Sequence, residues 1–239
     1  EGGVMFVRRH VAEWMDDPAL PAAEHDRALR GLARLNAISR AHRLLWPRVR
    51  ALSDRTRRPL RVLDLGSGGG DQPVRLDALA RRHGVRLDWI LSDCSAHALE
   101  CARAHAAARG VRCEAVRVDA LRETLPEADL VLNSLFLHHF DADDVVRILA
   151  GMRRAARLAV GVTDLRRTRP ALGLVWLGSR ALTRSPVVHH DAVASVRAAH
   201  EPSEIRALLG RADLGDATVD MADAVRWRLW WERAPGGHE

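Results

Sequence analysis

Apolar and polar positions along the chain alternate between two periods. "PLRVLDL", "VRLDWILSD", "VRCEAVRVDA", "ADLVLNSLFL" and "ARLAVGVTDL" are short, nearly continuous apolar runs, the pattern of strands buried on both faces. Between them, "DQPVRLDALARRHG", "SAHALECARAHAAARG" and "DADDVVRILAGMRRA" carry apolar residues at helical spacing. Strands alternating with helices of this kind predict a parallel sheet with helices on both faces. Upstream, Arg8 to Leu52 reads as helical, with Leu29, Leu32, Leu35, Ile38 and Leu45 roughly in phase. Asp17-Pro18 and Pro21 separate a first helix from a second, and Pro47 ends or kinks the second. This amphipathic stretch is expected to act as a cap over a site or as an interface arm. After Asp164 the pattern loosens through "RRTRPALGLVWLGSRALTRSPVVHHD". A helix in "EPSEIRALLGRAD" follows, and "GDATVDMADAVRWRLWWER" reads as two closing strands with Val225, Trp227, Leu229 and Trp231 on one face.

Length and composition narrow the picture. A chain of 239 residues holds one substantial domain with a helical cap. No apolar run approaches the ~20 residues that span a bilayer, and "EGGVMFVRRH" contains no long apolar signal core. Cys94, Cys101 and Cys113 are odd in number and form no C-x-x-C pair, which fits a reducing cytosol better than a disulfide framework. A cytoplasmic location is expected. The formal net charge of +6 raises the question of nucleic acid. All 37 basic residues are arginine, however, and they are spread along the chain, as on a solvated basic surface; the absence of both Lys and Tyr is what a GC-rich genome produces. A small molecule is the expected partner, not a nucleic acid or a membrane.

The candidate chemistry starts at "RVLDLGSGGGD". A strand running into Gly66-Ser67-Gly68-Gly69-Gly70 and then a helix brings backbone close to a ligand, or lets strand and helix pack closely. No G-K-[ST] follows, so it is not a phosphate-binding P-loop. Asp64 precedes the turn, Asp93 ends the second strand, Asp119 with Ala120 ends the third, and Asn133 with Ser134 closes the fourth. Polar groups at successive carboxyl ends mark the ligand edge of an open α/β sheet. Two carboxylates beside the glycines repel a pyrophosphate but suit a cationic ligand with free ribose hydroxyls.

The series "VLDLGSGGGD", "LSDCS", "VDA" and "ADLVLNSLFLHHF" resembles the motifs of class I S-adenosylmethionine-dependent methyltransferases, over about Pro59 to Asp164 and on to the closing strands. The resemblance implies a Rossmann-like α/β fold: a seven-stranded mixed sheet, last strand antiparallel, with helices on both faces and an N-terminal helical cap. It divides the chain into a cap or lid at 1–56 and a methyltransferase domain at 57–239, with an acceptor-site insertion at about 165–200. It implies S-adenosylmethionine lying over Gly66 to Gly70, with Ser67 and Gly68 among its contacts and Asp64 and Gly66 near the methionine moiety. Asp93 with its neighbour Cys94 would face the ribose, Asp119 and Ala120 the adenine, and Asn133 and Ser134 the cofactor from the fourth strand. "EWMDD…ALRGLARLN", "LHHF", "DLRR" and "HHDAVASVRAAHEPSEI" further resemble bacterial small-molecule enzymes of secondary or quinone metabolism. The expected reaction is O-methylation of a phenolic or polyketide-type acceptor; the alternatives are C-methylation of a quinone or aromatic ring, an RNA or protein substrate, and a cofactor-binding subunit without turnover. The strand-four "NSLF" lacks the N-P-P-Y-type tetrapeptide of RNA enzymes. A homodimer is compatible with the amphipathic arm.

Methyl transfer from a sulfonium needs alignment and a deprotonated nucleophile, and histidine titrates in the right range for the second task. His138 and His139 follow the fourth strand; adjacent side chains on a helical turn diverge by about 100°, so one of them, His138, is expected to face the pocket as base. His190 is the second candidate, in the variable region with His189 and Asp191, where Asp191 orients a histidine or pairs with Arg197. Asp164, His189 and His190 raise a metal reading, but they form no well-spaced set of ligands and no metal is assigned. Arg166, Arg167 and Arg169 can hold an acidic substrate group or stay solvated, and "ALGLVWLGSRAL" around Trp176 is either pocket wall or core.

Overall fold

The computed structural model describes residues 6–17 and 19–234. Seven strands form one sheet in the order β3-β2-β1-β4-β5-β7-β6. They are β1 (Leu60–Leu65), β2 (Leu87–Asp93), β3 (Cys113–Arg117), β4 (Ala128–Ser134), β5 (Ala156–Leu165), β6 (Thr218–Met221) and β7 (Arg226–Glu232). The first five pair in parallel, and β7 runs antiparallel to both β5 and β6. The expected mixed sheet with an antiparallel last strand is therefore present. Its chain order reverses between β1 and β4, which opens a crevice above the carboxyl ends of those two strands.

Helices cover both faces. On one, α2 (Trp46–Thr56), α3 (Asp71–Arg82) and α4 (Ala96–Ala108) bury Val49, Leu52, Val74, Ala80, Leu99 and Ala102 against Val62, Leu91 and Trp230. On the other, α5 (Ala142–Ala155) and α8 (Pro202–Leu209) bury Ile148, Leu149, Met152 and Ile205 against Val131, Val160 and Trp227. Trp227 and Leu229 face one core and Trp230 the other, so β7 is buried on both sides and not only on its alternating face. Ser95 caps α4 by accepting from Ala98 N at 3.2 Å, and Asp141 caps α5 by accepting from Asp144 N at 2.9 Å.

Three expectations need correction. Phe6 to Glu13 forms no helix; it is an extended strap followed by a single 3₁₀ turn at Trp14–Asp16. The cap helix proper is α1 (Ala22–Ile38), and Pro47 opens α2 in its first turn, where its missing N–H costs nothing, instead of ending a helix. The loosened stretch after Asp164 contains two further helices, α6 (Arg169–Leu182) and α7 (Pro186–Ala198), each also begun by a proline and capped by Thr168 or Ser185. Ala28 of α1 packs with Val187 and Val188 of α7, so the N-terminal helix and the segment after β5 share one small hydrophobic cluster. Leu174, Trp176 and Leu177 of α6 are exposed, so Trp176 is not part of the core.

Candidate functional site

The glycine turn answers the question of close packing or ligand glycine by glycine. Gly66, Gly68 and Gly70 all have φ between +50° and +71°, which side chains rarely adopt. A Cβ at Gly66 would lie 2.6 Å from the Phe136 ring, and one at Gly70 would lie 3.0 Å from Ala102 of α4. Those two glycines serve the protein's own packing. A Cβ at Gly68 would meet nothing within 4 Å, so the space above that residue is open. The turn is held rigid from beneath: Asp93 accepts Gly68 N at 2.9 Å through Oδ2 and Ser95 N at 2.9 Å through Oδ1. His105 of α4 contacts the Gly69 carbonyl oxygen through Nδ1 at 3.1 Å, and Ser67 Oγ donates to the Asp64 carbonyl at 2.9 Å.

Other predicted residues surround this turn in different ways. Asp64 is buried, and that burial pushes its carboxyl up to about 7 despite a hydrogen bond from Ser67. It lines a small cavity with Gln72, Ser134 and Thr163. Asn133 is fully buried and donates from Nδ2 to Leu65 O at 2.8 Å, which fixes the last residue before the turn; its Oδ1 has no partner. Asp71 Oδ2 and Gln72 Nε2, just after the turn, are likewise buried without partners. Ser134 Oγ is spent on Thr163 Oγ1 at 3.0 Å. Cys94 is exposed, and Asp119 lies two positions past the end of β3, accepting Leu121 N at 2.9 Å beside half-buried Ala120. An open space over Gly68, with unpartnered buried polar atoms on the neighbouring strand end and helix start and Asp93 holding the turn, fits a ligand with hydroxyls at one end and a charged amino-acid moiety at the other.

Immediately beside the crevice, Leu135 adopts φ +57°, held by Leu135 N donating to Thr163 O at 2.9 Å. That left-handed residue sends Phe136 over Gly66 and starts the 3₁₀ turn Leu137–His139. His138 is buried. Asp164, near the end of β5, approaches its Nδ1 at 2.7 Å and accepts the His138 backbone N–H at 3.1 Å. Glu13 Oε1 lies 3.4 Å from Nε2. Burial opposes the charge on His138, but Asp164 and then Glu13 outweigh it, and the ring is pushed up to about 10. Burial likewise acts to raise both carboxylates, yet His138 holds each below its usual range, helped at Glu13 by His139 and Ser195. The expectation of a free base near neutrality is therefore corrected: with Glu13 in place, His138 is an imidazolium between two carboxylates. His139 does not diverge. Its ring lies 4.3 Å from that of His138, and its Nδ1 is 3.2 Å from Asp16.

The strap that carries Glu13 is anchored along its length. Arg8 donates to Ala198 O at 2.6 Å, Phe140 O at 2.7 Å and His138 O at 3.2 Å. Asp191 accepts Trp14 N at 2.8 Å and Met15 N at 3.0 Å, Trp14 stacks on His190 at 4.2 Å, and Ser195 Oγ donates to Glu13. His190 Nδ1 also meets Asp191 at 2.8 Å, so Asp191 pairs with His190 and the strap instead of Arg197. His190 is thereby built into the latch. His189 Nε2 contacts Thr183 O at 2.9 Å, so Asp164, His189 and His190 do not converge as ligands. Arg167 is buried, donating to Phe6 O and pairing with Glu204 at 2.7 Å, which removes it as a substrate clamp. Sequence reasoning missed Glu13 and the pairing of Asp164 with His138. No local pattern marks a carboxylate on an aperiodic strap, but Asp164 at a strand's carboxyl end was a visible signal.

Residues 62–158 match the family model described as a methyltransferase domain. No curated protein matches the chain in sequence. Among solved structures, the chain is similar to a candidate O-methyltransferase of Nostoc punctiforme (19% identity, TM-score 0.56, 88% of this chain and 61% of that one). It is similar to the magnesium protoporphyrin IX methyltransferase ChlM of Synechocystis, solved with bound SAH (16%, TM-score 0.56, 91% and 90%). A third similarity is to the mitomycin 7-O-methyltransferase MmcR (25%, TM-score 0.50, 72% and 49%). The chain thus spans between half and nine-tenths of these relatives' length. Motif series, sheet order and family match agree: residues 62–158 match a methyltransferase domain, and the sheet around them has the fold of solved S-adenosylmethionine-dependent methyltransferases, ChlM among them with bound SAH or SAM.

Proposed function

We propose that the protein is an O-methyltransferase acting on a small acceptor whose hydroxyl is acidic, of the phenolic or polyketide kind. S-adenosylmethionine, when bound, supplies an electrophilic methyl group on a sulfonium. Asp64, Gly66, Ser67, Gly68, Asp93 and Cys94 would hold it from β1 and β2, Asp119 and Ala120 from beyond β3, and Asn133 and Ser134 from β4. The residues at hand support this: Gly68 opens onto free space, and Asn133 Oδ1 in β4 and Asp71 Oδ2 at the start of α3 are buried and unpaired.

The observation that carries the acceptor reading is the imidazolium of His138, fixed by Asp164 and faced by a carboxylate it does not own. Nδ1 is committed to Asp164, so only Nε2 is available to an acceptor, and Glu13 occupies its position. An acceptor oxyanion that displaces Glu13 replaces one anion by another, leaving the charge balance around His138 unchanged. A neutral acceptor would strand the imidazolium beside Asp164 alone. Selection therefore favours hydroxyls acidic enough to arrive ionised. The Nε2–H donates to the acceptor oxygen and orients it for in-line attack; the methyl transfer itself moves no proton, because an oxyanion becomes an ether as the sulfonium becomes a neutral sulfide. The names of two relatives, which act on a mitomycin and on magnesium protoporphyrin IX, support a small-molecule acceptor.

The test is a series of phenols of graded acidity assayed at fixed pH with saturating cofactor. Turnover is expected to rise as the phenol pKa falls toward the assay pH, and His138→Ala, which lacks the cation that pairs with the oxyanion, is expected to lower turnover across the series while keeping that slope. A rate indifferent to phenol acidity, in both proteins, overturns the proposal.

A further inference from the structure

Away from the strap, α1 and α4 meet along a seam that holds a second set of coordinating side chains. His25 and Asp26 come from the first turns of α1, and His97 and Cys101 lie one turn apart on α4. The i,i+4 spacing puts the latter pair on one face of the helix. His97 Nε2 is 2.9 Å from Asp26 Oδ1, and Cys101 Sγ is 3.6 Å from that oxygen and 3.8 Å from His97 Nε2. The His25 ring packs edge-on to His97 at 5.2 Å, and ligand atoms of His25, Asp26 and His97 all lie within 4.8 Å of one another. His25 Nδ1 is buried without a hydrogen-bond partner.

We propose that His25, Asp26, His97 and Cys101 form a binding site for a borderline divalent transition metal, zinc above all, that staples the cap helix to the body of the domain. Four-coordinate zinc with bonds of about 2.0–2.3 Å places its ligand atoms about 3.3–3.8 Å apart. Two of the observed separations already have that length, and only the His97–Asp26 hydrogen bond must open. The proton in that bond stands where the metal would sit. Two imidazoles, one carboxylate and one thiol exclude the all-oxygen shells of magnesium and calcium. Burial and the neighbouring His97 hold His25 below the usual histidine range, which keeps its ring neutral and able to coordinate. Burial and then Asp26 push the Cys101 thiol up, so without metal it keeps its proton. On binding, His97 coordinates through Nε2 with its proton on Nδ1, Cys101 coordinates as thiolate, and the thiol proton passes to solvent. Carboxylate and thiolate together then balance the charge of the ion. The second cluster among the described residues, Glu13, His138 and His139, lacks sulfur, and His138 already carries a proton between two carboxylates.

The location gives the metal a consequence. Leu29 of α1 lies beside Gly69, and His105 of α4 holds the Gly69 carbonyl, so both stapled helices touch the glycine turn. Loading the seam fixes the cap over that turn.

Cobalt(II) titration of the metal-free full chain tests this. One equivalent is expected to bind with tetrahedral-intensity visible bands and a near-ultraviolet thiolate-to-cobalt band, and zinc is expected to displace it. Cys101→Ser should remove the near-ultraviolet band, and His97→Ala and Asp26→Asn should each weaken binding at least tenfold. Cys94→Ser should leave the spectrum intact. Zinc should raise the melting temperature of the unmodified protein and leave that of Cys101→Ser unmoved. Absence of the thiolate band, its survival in Cys101→Ser, or its loss in Cys94→Ser overturns the site. Cobalt binding that depends on His138 instead of His97 does the same.

Discussion

Asp93 reaches Gly68 across 25 positions and Ser95 across two, whereas Asp191 holds Trp14 across 177 and Ser195 reaches Glu13 across 182. The glycine cradle and the histidine centre sit side by side at one sheet edge, yet one is assembled from consecutive strand ends and the other from opposite ends of the chain. The cradle is fixed by strand order together with the left-handed glycines and the side chains of Asp93, Ser67 and His105 that hold them, all from the segments next to β1 and β2. The histidine centre exists only after a strap has closed a very long loop. That closure costs little more for a long loop than for a short one, because the entropy grows with the logarithm of length. A strap is therefore a cheap place to put specificity, and its residues can change without touching the cradle.

If the two regions divide the work in this way, damage to one should leave the other's readout intact. The largest effect is expected for His138→Ala, which removes the donor to the acceptor oxyanion and should lower turnover of a phenolic acceptor about 10²–10³-fold while cofactor affinity, measured by calorimetry, stays put. Asp93→Ala should do the converse. Losing charge-assisted hydrogen bonds, with water as partial replacement, costs about 2–4 kcal/mol of cofactor affinity, and single-turnover rates at saturating cofactor should recover. A smaller effect is expected at Gly68. Gly68→Ala meets open space but keeps a left-handed φ, so stability should fall by about 1–2 kcal/mol, and any further loss of cofactor affinity reports the ligand. Gly66→Ala instead strikes Phe136 and should damage both regions at once.

The smallest and most diagnostic change is Glu13→Gln. His138 is held up to about 10 against an ordinary 6.5, with Asp164 and Glu13 as the raising partners. A raised histidine stabilises the latched fold fully below its unfolded value and loses that contribution as pH climbs through its folded value. Strap closure, followed by hydrogen exchange of Arg8 to Asp16, is thus expected to weaken between about pH 6.5 and 10. In Glu13→Gln the weakening should begin at lower pH, with a few-fold change in turnover at neutrality. An exchange profile identical in both proteins would separate Glu13 from the titration.

The same contrast explains what could be read from sequence. β1, β2, β4 and β5 are apolar runs buried on both faces, so periodicity and position coincide there, whereas β3, at the sheet edge, is half-exposed. Asp64, Asp93 and Gly68 were legible because a strand end is a place defined by the sequence around it. The α6–α7 region was not, because the pattern loosens after Asp164 and no sequence period separates its two helices. Its outward Leu174, Trp176 and Leu177 also blur the helical stripe. Glu13 was illegible for a deeper reason. Nothing within the aperiodic strap says that it returns to His138, and only the contacts of Arg8, Trp14 and Met15 with distant backbone and Asp191 determine that it does.

Arg8 deserves a kinetic reading. One guanidinium grips carbonyl oxygens from two separate segments, Phe140 and His138 on one side and Ala198 on the other. Such a grip does not loosen by degrees: once the side chain withdraws, all three oxygens are released together. Acceptor capture then waits on a discrete opening event, and its observed rate should climb with acceptor concentration only until it meets the opening frequency, beyond which more acceptor brings no further speed.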